Sequence, residues 1–462
     1  MFSDMNSEVS RITNGPKHHF FGFHDIVQTN AKGDLALSLE VDDISHPPLP
    51  GETCGCGVVT LADGIFREIH RTHAWNYPQG ARQQWVGGTD ICLCNDREED
   101  GRLICRVSDA REKKVVDTLP FPVHCVNAKT RQTFSMNYGR VHASGGYGYT
   151  PNATMRCVGR IVDMPEDEGI TVGNLNTKTK ELLVSIAQVA ACGEVKPVVT
   201  GYPHYLTHLM LNPSGTRLCF LHRYRVSDGG EITRLMTIGT DGLKLRCLAK
   251  GFLSHFTWIS DDEIFIWGKD ERTLCKMRES FWLRVPGVLS FAVMAKKCVR
   301  SARRIRTRKV QIGTDRIAQD KAFLIIQDRD TPVMVKNGVG ILAEDGHPMA
   351  CPANHRHLVS DTYPNEDGDR WLMFYDVNCQ ERMNVGRFRR LFVEPDPNAF
   401  DWRAAQKGID SRILKKFPCG LYLFTRSGYH ADLHPRWSYD GKLAFFDSIH
   451  EGSRQIYAVR AQ

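Results

Sequence analysis

The sequence lacks most of the short signatures that announce an enzyme class. It has no phosphate-cradling glycine motif, no G-x-S-x-G elbow, no H-E-x-x-H pair and no strand–helix alternation. These absences argue against nucleotide-dependent, serine-hydrolase and zincin chemistry. No acidic pair stands out at a strand end, which leaves little for a two-carboxylate glycoside hydrolase. Long apolar runs are missing too, so no segment approaches bilayer-spanning length. The opening MFSDMNSEVSRITNG has no apolar core or cleavage site of an export signal, and the expected location is cytoplasmic. The 15 cysteines include Cys54-Gly55-Cys56 and Cys92-Leu93-Cys94, but no paired C-x-x-C knuckle. Several lie in apolar strand runs, where a reduced thiol behaves as a small hydrophobe.

What is present is a repeat. The stretch YHADLHPRWSYDGKLAFFDSIHEGSRQIY, Tyr429 to Tyr457, reads as strand, Asp-Gly turn, strand, polar loop, strand. Looser versions are IVQTNAKGDLALSLE from Ile26, QQWVGGTDICLCND from Gln83 and VNAKTRQTFSMN from Val126. LMLNPSGTRLCFLHR from Leu209 and FTWISDDEIFIWG from Phe256 continue the series. Their starts recur at about forty to fifty residues, the period of propeller blades. The chain is therefore expected to be all-β, a β-propeller. Residues 1–16 would form an arm or closing strand, and 17–462 a single propeller domain. A basic helical insertion at 272–310, RTLCKMRESFWLRVPGVLSFAVMAKKCVRSARRIRTRKV, would lie between blades. A short helix is expected over Glu181 to Ala191, and a Gly- and Tyr-rich loop over Ser135 to Pro151.

With a net charge of +7 among 462 residues, nucleic acid is not the expected partner, whereas an acidic polymer is compatible. The insertion, apolar beside Lys and Arg, suits a peripheral contact with anionic membrane. Chemistry then falls to the histidines. His124, His142, His204, His208, His222, His255, His355, His357 and His434 stand just before or after predicted inner strands. In a propeller such positions gather at one mouth of the central channel.

The pieces HHFFGFHD, NYGRVHASGGYGY, HYLTHLMLNPSGTRLCFLHR, SHFTWISDD, SDTYP and HADLHPRWSYDG span nearly the whole chain. Together they resemble the seven-bladed propeller polysaccharide lyases, the oligogalacturonate and ulvan lyases. The resemblance implies metal-assisted β-elimination from a uronate-containing poly- or oligosaccharide. It places Arg223 as carboxylate clamp and His142 and Tyr205 as base and acid, with Tyr147 or Tyr149 as alternatives to Tyr205. It places His208, His255 and His434 as ligands of a divalent transition metal, manganese or zinc, with Asp361 completing or orienting the shell. Arg140, Tyr147, Tyr149 and His204 would contact substrate. The alternative is a non-catalytic propeller that binds glycan or protein in polysaccharide biosynthesis at the membrane face.

Overall fold

The computed structural model describes residues 2–4, 8–151, 161–194, 201–279, 321–391, 396, 398–414 and 425–461. Its strands form six hydrogen-bonded sheets, all meandering outward from a short inner strand. Five of them are single blades. The sixth has seven strands, because Arg246–Trp258 serves both as the outer strand of one blade and the inner strand of the next. The ring therefore holds seven blades, and the inner strands of blades three to seven contact one another in sequence. The fold is an all-β propeller.

Alternation of apolar and polar residues would give a sheet with one wet face. Here instead the second strand of most blades is apolar on both faces, as in LALSLEV at Leu35–Val41 and RLCFLHRYR at Arg217–Arg225. Each blade is sandwiched between two others, so both faces are buried and both must be apolar. A tryptophan on the inner strand does repeated work at these contacts. The Trp85 indole donates to the Gln28 carbonyl (3.1 Å), Trp258 to Met210 (3.1 Å) and Trp437 to Met349 (3.0 Å). Each donation runs from one blade to the blade before it, so the bulky ring fills the gap while its N–H is satisfied. This is the physical content of the W in QQW, FTW and PRW.

Closure joins the two ends of the chain. Val9–Arg11 adds antiparallel to Gln455–Arg460 as the outer strand of the seventh blade. Phe2–Asp4 adds in parallel to Glu381–Arg389 of the sixth. The Asp440-Gly441 turn forms as read, with Gly441 at φ 71° and its N–H on the Ser438 carbonyl (3.0 Å).

Two local expectations are corrected. Within Glu181 to Ala191 only Ile186–Ala191 is helical, and Lys180–Ser185 is a strand paired to Gly169–Asn174. Ser185 makes the switch through a capping box. Its hydroxyl accepts from the Gln188 N–H (3.1 Å), while the Gln188 side chain accepts from the Ser185 N–H (2.8 Å). In the Gly- and Tyr-rich stretch, Tyr138–Ala143 is a helix capped by Asn137. Of the basic insertion, Arg272–Glu279 is helical and the remainder lies outside the described residues. No helix among the described residues is long and apolar enough to cross a membrane.

Candidate metal centre at the propeller axis

Every inner strand delivers one side chain to a common buried centre. Blades one to seven contribute His24, Arg82, His124, His208, His255, His347 and His434; His24 follows the inner strand His18–Phe20, and the others stand just before or within theirs. The strands are distorted to do so. In Tyr205–Leu211 the register skips between Thr207 and Met210, and His208 in the bulge takes φ 60°. In Arg246–Trp258 it skips between Leu253 and Phe256, which frees His255. Arg82 and His434 also adopt left-handed conformations, at φ 53° and 41°. Such conformations cost a β-carbon-bearing residue about 1–3 kcal/mol and cluster at functional sites, and bulges re-aim side chains there.

Four of the imidazoles are pinned in the same way. The Nδ1–H of His24 donates to the Pro348 carbonyl (3.0 Å), and that of His434 to the Gly22 carbonyl (2.8 Å). Nδ1 of His347 faces the Asp361 carboxylate at 2.7 Å, and Nδ1 of His255 faces Asp345 at 3.1 Å. A carbonyl or carboxylate can only accept, so each Nδ1 carries the proton and each Nε2 keeps a free lone pair. That is the arrangement by which outer groups orient metal-binding histidines. The rings converge. Centroids of His255 and His347 are 4.2 Å apart, His347 and His434 4.4 Å, His24 and His347 5.4 Å. Phe23 packs edge-on against His208 (4.7 Å) and His434 (5.3 Å).

Gly22, which supplies the carbonyl for His434, must be glycine. Its φ is 120°, and a β-carbon there would lie 2.5 Å from the Gly80 backbone nitrogen.

Burial sets the protonation state. His24, His124, His208 and His434 are held well below the ordinary imidazole range, by desolvation first and then by repulsion from neighbouring cationic groups. All four are therefore neutral at pH 7. His347 moves the other way: burial opposes the charge, but Asp361 raises it. Asp432, also opposed by burial, is held well below the carboxylate range by His430 and Arg370. Buried nitrogens without a partner remain at His24 Nε2, His124 Nε2 and His208 Nδ1. An orphaned buried nitrogen costs about 1–3 kcal/mol unless something occupies it. The ligand atoms of His347, Asp432 and His434 lie within 4.8 Å of one another. Imidazoles and one ionised carboxylate suit manganese or zinc, and the residues fit that group.

The less buried rim includes Arg223 (side chain 17% exposed) and Asp345 (22%), with Tyr147 and Tyr363 half-buried beside them. Arg223 bears electrostatically on His208 and His255, and Tyr147 on Arg223 and Tyr363. Arg223 Nε is buried without a partner, 3.8 Å from the nearest Glu231 oxygen. Tyr205 pairs in register with Arg223, but its hydroxyl donates to Glu231 at 2.7 Å.

Of the residues singled out in the sequence, the structure thus brings together His208, His255, His434, Asp361, Arg223 and Tyr147, with Tyr205 alongside. Asp361 contacts His347 as an orienting carboxylate and accepts from the His434 N–H (3.2 Å). The structure does not bring His142, Arg140, Tyr149 or His204 to the centre. His142 Nε2 donates to the Lys407 carbonyl (2.8 Å). Arg140 is locked to Glu168 (2.6 Å), Val162 and His204. Tyr149 stacks on Tyr138 at 4.4 Å and accepts from Asn95 (3.0 Å). His204 stacks on Tyr224 at 4.5 Å, with Nδ1 3.0 Å from His222 Nε2. His355 and His357 lie on Asn354–Asp361, away from the axis, and His357 pairs with Asp376 (2.7 Å).

Sequence reasoning passed over His24, His347, Asp432 and Tyr363. A signal existed for His347. Gly346-His347-Pro348-Met349 repeats the His-Pro step of Leu433-His434-Pro435-Arg436, each directly ahead of an inner strand.

No known family profile matches the sequence, and no curated protein matches it by sequence. Solved structures resemble it distantly. Oligogalacturonate lyase in complex with manganese is 11% identical at a TM-score of 0.40, covering 100% of this chain and 95% of that one. Oligogalacturonate lyase from Vibrio parahaemolyticus is 9% identical at 0.38, covering 100% and 96%. A prolyl endopeptidase is 8% identical at 0.43, covering 98% of this chain and 51% of that one. Lyases and peptidases both appear among these likenesses, which concern the arrangement of strands alone.

Proposed function

We propose that this propeller is a metal-dependent lyase that cleaves a uronate-containing poly- or oligosaccharide by β-elimination. The observation that carries the reading is the set of buried imidazoles pinned through Nδ1, gathered next to a guanidinium whose Nε is unpartnered. Elimination needs three things: charge beside the uronate carboxylate, a base for the carbon-bound proton, and an acid for the departing glycosidic oxygen.

His347, His434 and Asp432 would hold the metal, with His24 and His255 around them. When bound, the metal would neutralise the carboxylate and so make the adjacent C–H more acidic. Arg223 would clamp the same carboxylate. His208, neutral and with Nδ1 unpartnered, is the base in this reading, in place of His142, whose Nε2 is committed to a backbone carbonyl. Tyr363 would be the acid. Burial, then Asp432 and Asp345, keep its phenol protonated. Tyr147, half-buried on the rim, would contact the sugar.

The test is incubation of manganese- or zinc-loaded protein with a panel of acidic polysaccharides and their oligomers. The expected result is metal-dependent ultraviolet absorbance from new unsaturated uronate ends. Bound metal with no absorbance on any uronate substrate would instead favour the non-catalytic binding propeller. The membrane contact through 272–310 rests on residues that are largely outside the described ones.

A further inference from the structure

A second cluster of ligand-type side chains lies far from the axis, between the first and second blades. Cys56 on Cys54–Thr60 and His70 on Phe66–Thr72 are cross-strand partners, and Cys94 on Ile91–Arg97 faces them from the next blade. One ligand atom from each lies within 4.8 Å of the other two. Cys56 and Cys94 are 3% and 1% exposed. Both ring nitrogens of His70 are shut off from solvent and neither has a hydrogen-bond partner.

Packing accounts for the thiols but not for the imidazole. A buried cysteine needs no partner, and Cys54 and Cys92 fill the same region as small hydrophobes. An imidazole with two orphaned nitrogens forgoes hydrogen bonds it would make in water, at about 1–3 kcal/mol for each group left unsatisfied. Valine or leucine would fill that space at no such cost. Burial lowers the His70 pKa to about 4, which leaves the ring neutral with a lone pair to give. Two sulfurs and one imidazole nitrogen are the donor set of tetrahedral zinc. Zinc–sulfur and zinc–nitrogen bonds of about 2.3 and 2.0 Å place donors some 3.5–4 Å apart, so the cluster need close by no more than about 1 Å.

We propose that Cys56, His70 and Cys94 form a zinc site that staples the first blade to the second. On binding, one Zn²⁺ replaces the two thiol protons, which leave to solvent, and the fourth position is taken by water. Two thiolates and one Zn²⁺ sum to zero charge, so the filled site adds no unpaired charge to the interior.

The test uses the full chain, reduced and stripped of metal with a chelator, then titrated with Co²⁺. The expected result is a thiolate-to-cobalt charge-transfer band with the intense visible bands of tetrahedral cobalt, displaced by Zn²⁺. Cys94→Ser and His70→Gln should each lose the charge-transfer band, whereas His434→Ala, altered only at the axis, should keep it. Absence of the band in the reduced wild-type protein, or its survival in both cluster variants, overturns the proposal. So does a Cys56–Cys94 disulfide in protein isolated without reductant. Should the cluster variants not fold, an organomercurial titration of the zinc-loaded wild type decides: zinc release in step with modification of two thiols supports the site, and no release refutes it.

Discussion

The axis and the shoulder formed by Tyr138–Ala143 and its surroundings are built from the same residue types, yet they differ in what is left over. At the shoulder, Arg140 is saturated by Glu168 and two carbonyls and His142 Nε2 is spent on Lys407, whereas His204 bonds His222 through Nδ1 and, on ordinary backbone, leaves Nε2 unpartnered. At the axis, the proton-bearing nitrogen is spent on an acceptor and the opposite nitrogen is not. The backbone differs as well. His208 and His434 are held at positive φ, whereas the helix beside them is regular and capped. Histidine, tyrosine and arginine density alone therefore does not mark a site; unspent lone pairs on strained backbone do.

The comparison can be broken most forcefully at His347. His347→Ala is expected to abolish metal binding and turnover together, because it removes the imidazole that faces His24, His255 and His434 at once. Metal content by mass spectrometry and the unsaturated-uronate assay read both. A variant with full metal content would remove His347 from the centre. Asp361→Asn keeps the ligands but weakens the carboxylate that orients His347, and should lower metal affinity by about 10–100-fold. A competitive chelator titration measures this, and an unchanged constant would mean that Asp361 only supports the backbone.

At the shoulder the expected signs reverse. His142→Ala should leave turnover within a few-fold of wild type while costing about 1–3 kcal/mol of stability, since the Lys407 carbonyl loses its buried donor. Denaturant unfolding beside the lyase assay separates the two, and abolished turnover in a stable variant would return His142 to the reaction.

The smallest effect is on pH. Burial lowers the pKa of His142 to about 4 and that of His204 to about 3, against an ordinary value near 6.5. Between those values the unfolded chain binds protons that the folded chain refuses. Their contribution is thus complete above about pH 6.5 and is lost as pH falls toward 4. The urea midpoint should drop between pH 7 and pH 5, and the drop should be smaller in His142→Ala. An equal drop in both proteins would show that His142 is not the group titrating.

The propeller itself was legible because blade grammar is local. An apolar run, an Asp-Gly or Asn-Pro-Ser-Gly turn and a second apolar run need only neighbours to be recognised, and the inner-strand tryptophan recurs with them. The site was legible in part. His208, His255 and His434 could be found from their place ahead of an inner strand, but that rule also admitted His142, His204 and His222, which lie away from the axis. Separating them requires the bulge and the partner of each nitrogen, and the acceptors of His24 and His434 lie hundreds of residues away. His24 hides in a loop whose acceptor, Pro348, is 324 residues distant. The same holds for Cys56, His70 and Cys94: their spacing matches no knuckle, because strand pairing within one blade and contact with the next bring them together.

Anomalous scattering from crystals soaked in manganese would locate the metal. One strong peak is expected among His347, His434 and Asp432, at bonding distance from imidazole Nε2 atoms. Crystals that take up manganese only at surface carboxylates, with the axial histidines unliganded, would contradict it.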